Sequence, residues 1–159
     1  MTEHLITFTL NGRQREVRVP AHRTLLEVLR DDAGALEVKE GCGEGVCGTC
    51  TVLLDGEPVS ACLVLAPHAA GRRITTLRGL GEGDAWHPLQ EAFATAGAVQ
   101  CGFCTPGMIL TAYAFLKEHP TPSREDIRHA IAGNLCRCTG YAKIIDAIMR
   151  VAAERAAGG

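Results

Sequence analysis

All eight cysteines of this 159-residue chain fall into two groups of four. Cys42, Cys47, Cys50 and Cys62 form a C-x4-C-x2-C-x11-C pattern, and Cys101, Cys104, Cys136 and Cys138 form C-x2-C-x31-C-x-C. Each quartet, if its thiols act together, draws separate stretches of chain to one place, so the surrounding fold must close on it. The opening MTEHLITFTLNGR has neither the basic flank nor the small-residue cleavage site of a secretory signal, and the expected location is cytoplasmic. Cysteines in a chain without export signals serve as metal ligands or redox groups more often than as disulfides. Eight thiols in two quartets, none left over, point to two four-ligand metal centres.

Length and composition narrow the choice. The chain allows one medium domain or two small ones. Hydrophobic residues make up 47% and charged residues 21%, an ordinary balance for a soluble protein. Aromatics are only 4%, so the core must come from Leu, Ile, Val and Ala. A net charge of -2 and a pI near 6.3 lack the basic footprint of a nucleic-acid partner. No apolar run approaches the ~20 residues of a membrane span.

Ile6, Phe8 and Leu10 alternate with threonines, the period of a half-buried strand. Asn11-Gly12 is a strong hairpin-turn signal, and Val17 and Val19 continue a second strand as far as Pro20. Thr24 with Glu27 predicts a capping box at a helix start, and Gly34 predicts its stop. Thr51 to Leu54 and Val59 to Leu65 read as a strand pair around Asp55-Gly56, with one more short strand marked by Ile74 and Leu77. This order fits a β-grasp sheet with one helix across it. Beyond a boundary at Gly79 to Asp84, four helices are expected. They follow Pro88, Thr105-Pro106 and Ser123 with Asp126, the last running from Ile144 to Val151. The expected fold is α+β: a ferredoxin-like β-grasp domain over residues 1–79 and a four-helix bundle domain over 85–157.

The first quartet sits among Gly41, Gly43, Gly45 and Gly48. Glycine lets backbone N–H groups approach anionic sulfur closely. C-x4-C-x2-C is the spacing of plant-type 2Fe-2S ferredoxins, and it lacks the paired C-x2-C units of a zinc ribbon. The second quartet is less specific by spacing, since C-x2-C also begins redox dithiols and zinc sites. Both of its pairs precede expected helix starts, where unpaired N–H groups favour an anionic cluster.

Three segments, GCGEGVCGTCTVLLDG, VQCGFCTPGM and AGNLCRCTGY, together resemble the small iron–sulfur subunit of the molybdenum hydroxylases. This is the family of xanthine oxidase, aldehyde oxidoreductase and carbon monoxide dehydrogenase, and the likeness covers nearly the whole chain. The resemblance implies that Cys42, Cys47, Cys50 and Cys62 hold a ferredoxin-like 2Fe-2S cluster, and that Cys101, Cys104, Cys136 and Cys138 hold a second. It implies a large molybdopterin-binding partner, a medium FAD-binding partner, and a heterotrimer or dimer of heterotrimers. Gln100 and Cys138 are expected against the pterin. The chain ends at Gly159, so the molybdenum and flavin domains are expected on other chains. Substrate electrons would pass through the helical-domain cluster, then the ferredoxin-like cluster, then FAD; some relatives run the path backwards.

No Ser-His-Asp, phosphate-loop or dinucleotide pattern appears, so no catalytic residue for substrate chemistry is expected on this chain. The six histidines show no metal spacing and read as surface residues. Met108 and Met149 read as packing, Tyr113 and Phe115 as bundle or interface residues, and Arg72 and Arg73 as a solvated edge. Arg137 lies between two ligands, either offsetting cluster charge or simply exposed. Helix 105–119 is apolar nearly all round, which predicts a face covered by partner subunits. Alongside the electron-transfer subunit stand two rivals, a stand-alone two-cluster carrier and a zinc-stabilised interaction module.

Overall fold

A computed structural model describes residues 3–81 and 85–158. Part of the expected boundary, residues 82–84, lies outside the described residues. The fold is α+β, with a mixed five-stranded sheet and, among the described residues, five α-helices.

Strands β1 (Glu3–Leu10) and β2 (Arg13–Pro20) pair antiparallel around Asn11 and Gly12, whose φ values of 49° and 78° fit the expected tight turn. Ile6, Phe8 and Leu10 all face the core, as the alternation requires. Helix α1 (Leu25–Glu27) starts at Thr24 with both capping-box bonds in place. It widens into a π-helical turn over Val28–Asp32 before Gly34, at φ 68°, ends it. Strands β3 (Thr51–Leu54), β4 (Glu57–Ser60) and β5 (Arg73–Thr75) complete the sheet in the order β2-β1-β5-β3-β4. β5 runs parallel to β1, and the other neighbours are antiparallel.

Two strand expectations need correction. The strand read as Val59 to Leu65 stops at Ser60, because the chain turns there to bring Cys62 inward. The turn is closed by Leu63 N–H donating to the Ser60 carbonyl at 2.9 Å, and Leu63 itself is exposed. Leu77 belongs to a 3-10 turn (Leu77–Gly79), not to β5, and packs with Leu80 against the helical core.

Helices α2 (Pro88–Thr95), α3 (Thr105–Glu118), α4 (Arg124–Ala130) and α5 (Ala142–Ala157) begin where their signals stand, and α5 extends beyond Val151. α5 packs on α2 and α4, and α3 packs on both as well. Their shared core holds Leu89, Phe93, Met108, Ile127, Ile144 and Ile148. A separate core lies between the sheet and α1.

The second apolar face of α3 is covered from within the chain. α3 packs against β3 and β4. Leu53, on the opposite face of β3 from Val52 and Leu54, is 2% exposed, and Leu110 of α3 is 1% exposed. Both lie outside the two core clusters. The helix is apolar all round because it serves two interfaces of its own chain, not because a partner must cover it.

Asn11 also ties the sheet to the segment leading into the helices. Its Oδ1 accepts from Thr76 N–H at 2.8 Å, and its Nδ2 donates to Thr76 Oγ1 at 2.8 Å. Thr76 is fully buried and donates in turn to Glu37 Oε1 at 2.6 Å. Glycine would satisfy the turn geometry at position 11 equally well. It would nonetheless strand a buried N–H, at a cost of about 1–3 kcal/mol. Asn11→Gly should therefore lower the denaturation midpoint; an unchanged midpoint would show that only the turn matters.

Candidate functional site

The first quartet is gathered by the loop between α1 and β3 and by the turn after β4. Gly43, Gly45 and Gly48 have φ of 69°, 75° and 67°, which aim successive N–H groups inward. Glu44 N–H donates to Cys42 Sγ at 3.4 Å. That bond, followed by the Cys47 thiol and the N–H groups of Cys47 and Val46, pulls the Cys42 thiol down to about 6. Cys50 and Cys62 are buried. Burial, followed by the Cys62 thiol as hydrogen-bond partner, pushes Cys50 up to about 11. At Gly41 a Cβ would stand 2.9 Å from Cys47 Sγ, so the loop closes on the thiols only without a side chain there.

The second quartet lies between the start of α3 and the loop before α5. Cys104 is the residue at which α3 begins, as expected. Cys136 and Cys138 do not stand at a helix N-terminus, because α5 starts at Ala142. Their loop is held instead by two residues whose role sequence reasoning missed. Cys136 N–H donates to Tyr141 Oη at 2.8 Å, and Thr139 Oγ1 lies 3.1 Å from Cys136 Sγ while accepting from Tyr141 N–H at 3.2 Å. Tyr141 takes φ 68°, costly for a bulky residue, and this local closure holds it there. Cys138 Sγ donates to Cys101 Sγ at 3.5 Å; Phe103 N–H, followed by this thiol, draws Cys101 below its ordinary value, and the same bond holds Cys138 above its own. Burial, then the Cys136 thiol, pushes Cys104 up to about 12.

Among the described residues, no three His, Cys, Asp or Glu donors are arranged to hold a single ion. The thiols meet in pairs: Cys42 with Cys47, Cys50 with Cys62, Cys101 with Cys138, and Cys104 with Cys136. Four thiolates taken as two pairs suit a binuclear 2Fe-2S cluster, and the inward N–H groups suit its negative charge. The donor set fits that group.

The two thiol loops touch directly. Leu135 N–H donates to the Cys47 carbonyl at 2.9 Å, and Asn134 Nδ2 donates to the Gly48 carbonyl at 2.9 Å. Thr49 Oγ1 donates to the Phe103 carbonyl at 3.1 Å. The sequence shows Asn134 only as a plausible helix stop. Gly48 and Gly107 are local signals of close approach, and they do not say what approaches what.

Gln100 is exposed, on the loop that leads into Cys101, and both Cys101 and Cys138 are exposed beside it. Arg137 is exposed, the plainer of its two readings. Met108 and Met149 pack in the helical core with Tyr113 and Phe115. Arg72 pairs with Asp55 at 2.7 Å on a solvated edge. Five histidines are exposed, but His87 is half-buried and caps α2, its Nδ1 accepting from Leu89 N–H at 3.2 Å.

Residues 8–75 match the family described as 2Fe-2S iron-sulfur cluster binding domain, and residues 76–149 match [2Fe-2S] binding domain. The nicotinate dehydrogenase small FeS subunit of Eubacterium barkeri is 50% identical over 157 residues, covering 99% of both chains. The xanthine dehydrogenase iron-sulfur-binding subunit of Escherichia coli O157:H7 is 46% identical over 147 residues, 91% of each. The chain belongs to the small iron–sulfur subunits of the molybdenum hydroxylase family. In the crystal structure of quinoline 2-oxidoreductase from Pseudomonas putida 86, one chain superposes with a TM-score of 0.92 at 46% identity, covering 98% of both chains. The subunit is therefore an electron-transfer component of an oxidoreductase complex, with two 2Fe-2S domains and large partner subunits. No helix among its described residues is long and apolar enough to cross a membrane.

The thiol environments predict a reactivity order in metal-free subunit. Cys42 is drawn below its ordinary value, so its thiolate accumulates above about pH 6. Cys104 is pushed up and stays a neutral thiol through the neutral range. Mass-spectrometric mapping after brief alkylation at pH 7 should find Cys42 modified well before Cys104. Equal labelling would contradict the loop geometry described above.

Proposed function

We propose that this subunit passes electrons between a molybdopterin centre on a large partner and FAD on a medium partner, through one 2Fe-2S cluster in each quartet. Cys42, Cys47, Cys50 and Cys62 ligate the ferredoxin-like cluster. Cys101, Cys104, Cys136 and Cys138 ligate the other. The units are residues 1–79 and 85–157, the second a four-helix bundle of α2 to α5. The assembly is a heterotrimer or a dimer of heterotrimers in the cytoplasm. Gln100 and Cys138 lie against the pterin.

The observation that carries this reading is the gathering of all eight thiols into two paired quartets whose loops are hydrogen-bonded to each other. Each cluster, when bound, supplies a site that takes up and releases one electron. Glu44 N–H stabilises thiolate charge at Cys42, and Phe103 N–H does so at Cys101. Burial of Cys50 and Cys62 keeps water from half of the first quartet. The exposure of Gln100, Cys101 and Cys138 leaves the second quartet open to a partner.

Purified subunit should contain about four irons and four acid-labile sulfides, two of each per cluster, with negligible zinc. One or two zinc ions without sulfide would overturn the assignment. Gln100→Ala should leave the iron content unchanged. In the assembled enzyme it should weaken pterin retention or slow cluster reduction by substrate, by up to the about 1–3 kcal/mol of an unpaired buried polar group. Wild-type reduction rates and full pterin occupancy would show that the contact does not exist.

A further inference from the structure

We propose that Asn134 is a positioning residue for electron passage between the two quartets, holding their loops where the backbones beside Cys47 and Cys136 meet. The inference rests on the two-cluster reading above. Cys47 belongs to the first quartet, and its carbonyl accepts the Leu135 N–H at 2.9 Å. Leu135 directly precedes Cys136 of the second quartet. One hydrogen bond thus joins a ligand residue of one quartet to the neighbour of a ligand residue of the other, with no side chain intervening.

That bond has no stiff element of its own to keep it. Leu135 lies in a loop and its side chain is exposed. Asn134 supplies the restraint. It is 4% exposed, and its amide crosses 86 positions of sequence to the Gly48 carbonyl at 2.9 Å. The same nitrogen reaches Thr51 Oγ1, at 3.5 Å. Its own N–H donates to the Ile131 carbonyl at 2.9 Å, which anchors it to the end of α4. Asn134 therefore grips the residue after Cys47 on one side and the α4 terminus on the other. Buried polar bonds of this kind fix geometry more than they add stability.

Space around the junction leaves no alternative filler. A Cβ at Gly48 would clash with the Gly133 carbonyl and stand 2.7 Å from Asn134 Nδ2. A Cβ at Gly107 would collide with the Gly48 carbonyl and lie 3.2 Å from that of Thr49. Losing the amide leaves the Gly48 carbonyl only the donors of its own segment, Thr51 Oγ1 at 2.7 Å and Thr51 N–H at 3.2 Å, and removes its tie to the Asn134 loop in a site too tight for side-chain rearrangement. The expected relaxation is separation of the two loops. When one electron moves between the quartets, no bond is made or broken and no proton is transferred. Loop separation is then the variable to which the transfer responds.

The experiment uses the full-length subunit with both clusters present, comparing wild type with Asn134→Ala and with the equal-sized Asn134→Asp. Three quantities are read: iron per chain, the rate of electron equilibration between clusters in doubly loaded molecules, and hydrogen exchange at Leu135 N–H. Both variants should keep their iron, equilibrate about tenfold more slowly and exchange Leu135 faster, in keeping with the 10–100-fold effect of second-layer partners at metal sites. Weakened magnetic coupling between the two reduced clusters should accompany the slower rate. If Asn134→Ala fails to fold or load, Asn134→Asp decides alone. An unchanged rate with unchanged Leu135 exchange overturns the proposal, and so does faster exchange with an unchanged rate, because Asn134 would then be only structural. Wild-type subunit that binds no iron would instead overturn the two-cluster reading itself.

Discussion

The arrangement depends on a contact between backbones. The loop of Cys47 to Thr49 reaches the loop of Gly133 to Leu135 and the first turn of α3 so closely that Gly48 and Gly107 cannot carry a Cβ. Hydrogen bonds from Leu135, Asn134 and Thr49 span this contact. Buried peptide groups must be paired, and here each loop pairs groups of the other. The packing of α3 on β3, with Leu53 and Leu110 buried between the two cores, supports the same junction from its apolar side. A sheet domain and a helical domain, each with its own core, are thereby registered through the residues that carry the thiols.

The quartets differ in how they treat charge. In the first, Cys50 and Cys62 are buried, while the half-buried Cys42 takes the N–H groups of Glu44, Cys47 and Val46, so backbone dipoles offset negative charge there. In the second, Cys101 and Cys138 reach the surface as a hydrogen-bonded pair. Burial of Cys104 disfavours its thiolate, while Thr139 works against burial at Cys136. An exposed pair of thiols is where an outside redox group approaches most closely. The half-buried first quartet is reached from there across the glycine junction. This asymmetry supports the proposal that the second quartet is the one nearer the pterin.

Much of this was legible in the sequence wherever structure is set locally. Asn11-Gly12, Asp55-Gly56, the Thr24–Glu27 and Ser123–Asp126 capping boxes and the prolines in the first turns of α2 and α3 each act within four residues, and each stands where read. The thiol spacings were legible too, and the fold brings each quartet's thiols together in pairs. The misreadings arose where distant contacts override local pattern. The apolar run after Val59 scans as strand, yet the need to bring Cys62 inward turns it at Ser60. Leu77 reads with Ile74 as one short strand but packs against the helical core. α3 looks like a partner-facing helix because sequence cannot show that β3 comes to lie against it. Asn134, Tyr141 and Thr139 act through bonds that only the folded loops create.

Gly107 shows which force prevails at the junction. Inside a helix glycine is disfavoured by roughly 1 kcal/mol relative to alanine, through the backbone freedom it loses. By propensity alone, alanine would be better at this third residue of α3. A methyl group there would drive the Gly48 carbonyl away and crowd that of Thr49. The displaced Gly48 carbonyl is the one Asn134 Nδ2 and Thr51 Oγ1 hold, and its neighbour Cys47 accepts from Leu135. A buried carbonyl pulled from its donor costs about 1–3 kcal/mol, more than the propensity gain. Close approach of the thiol loops outweighs local helix preference, so the helix begins with a residue that suits the junction better than it suits the helix.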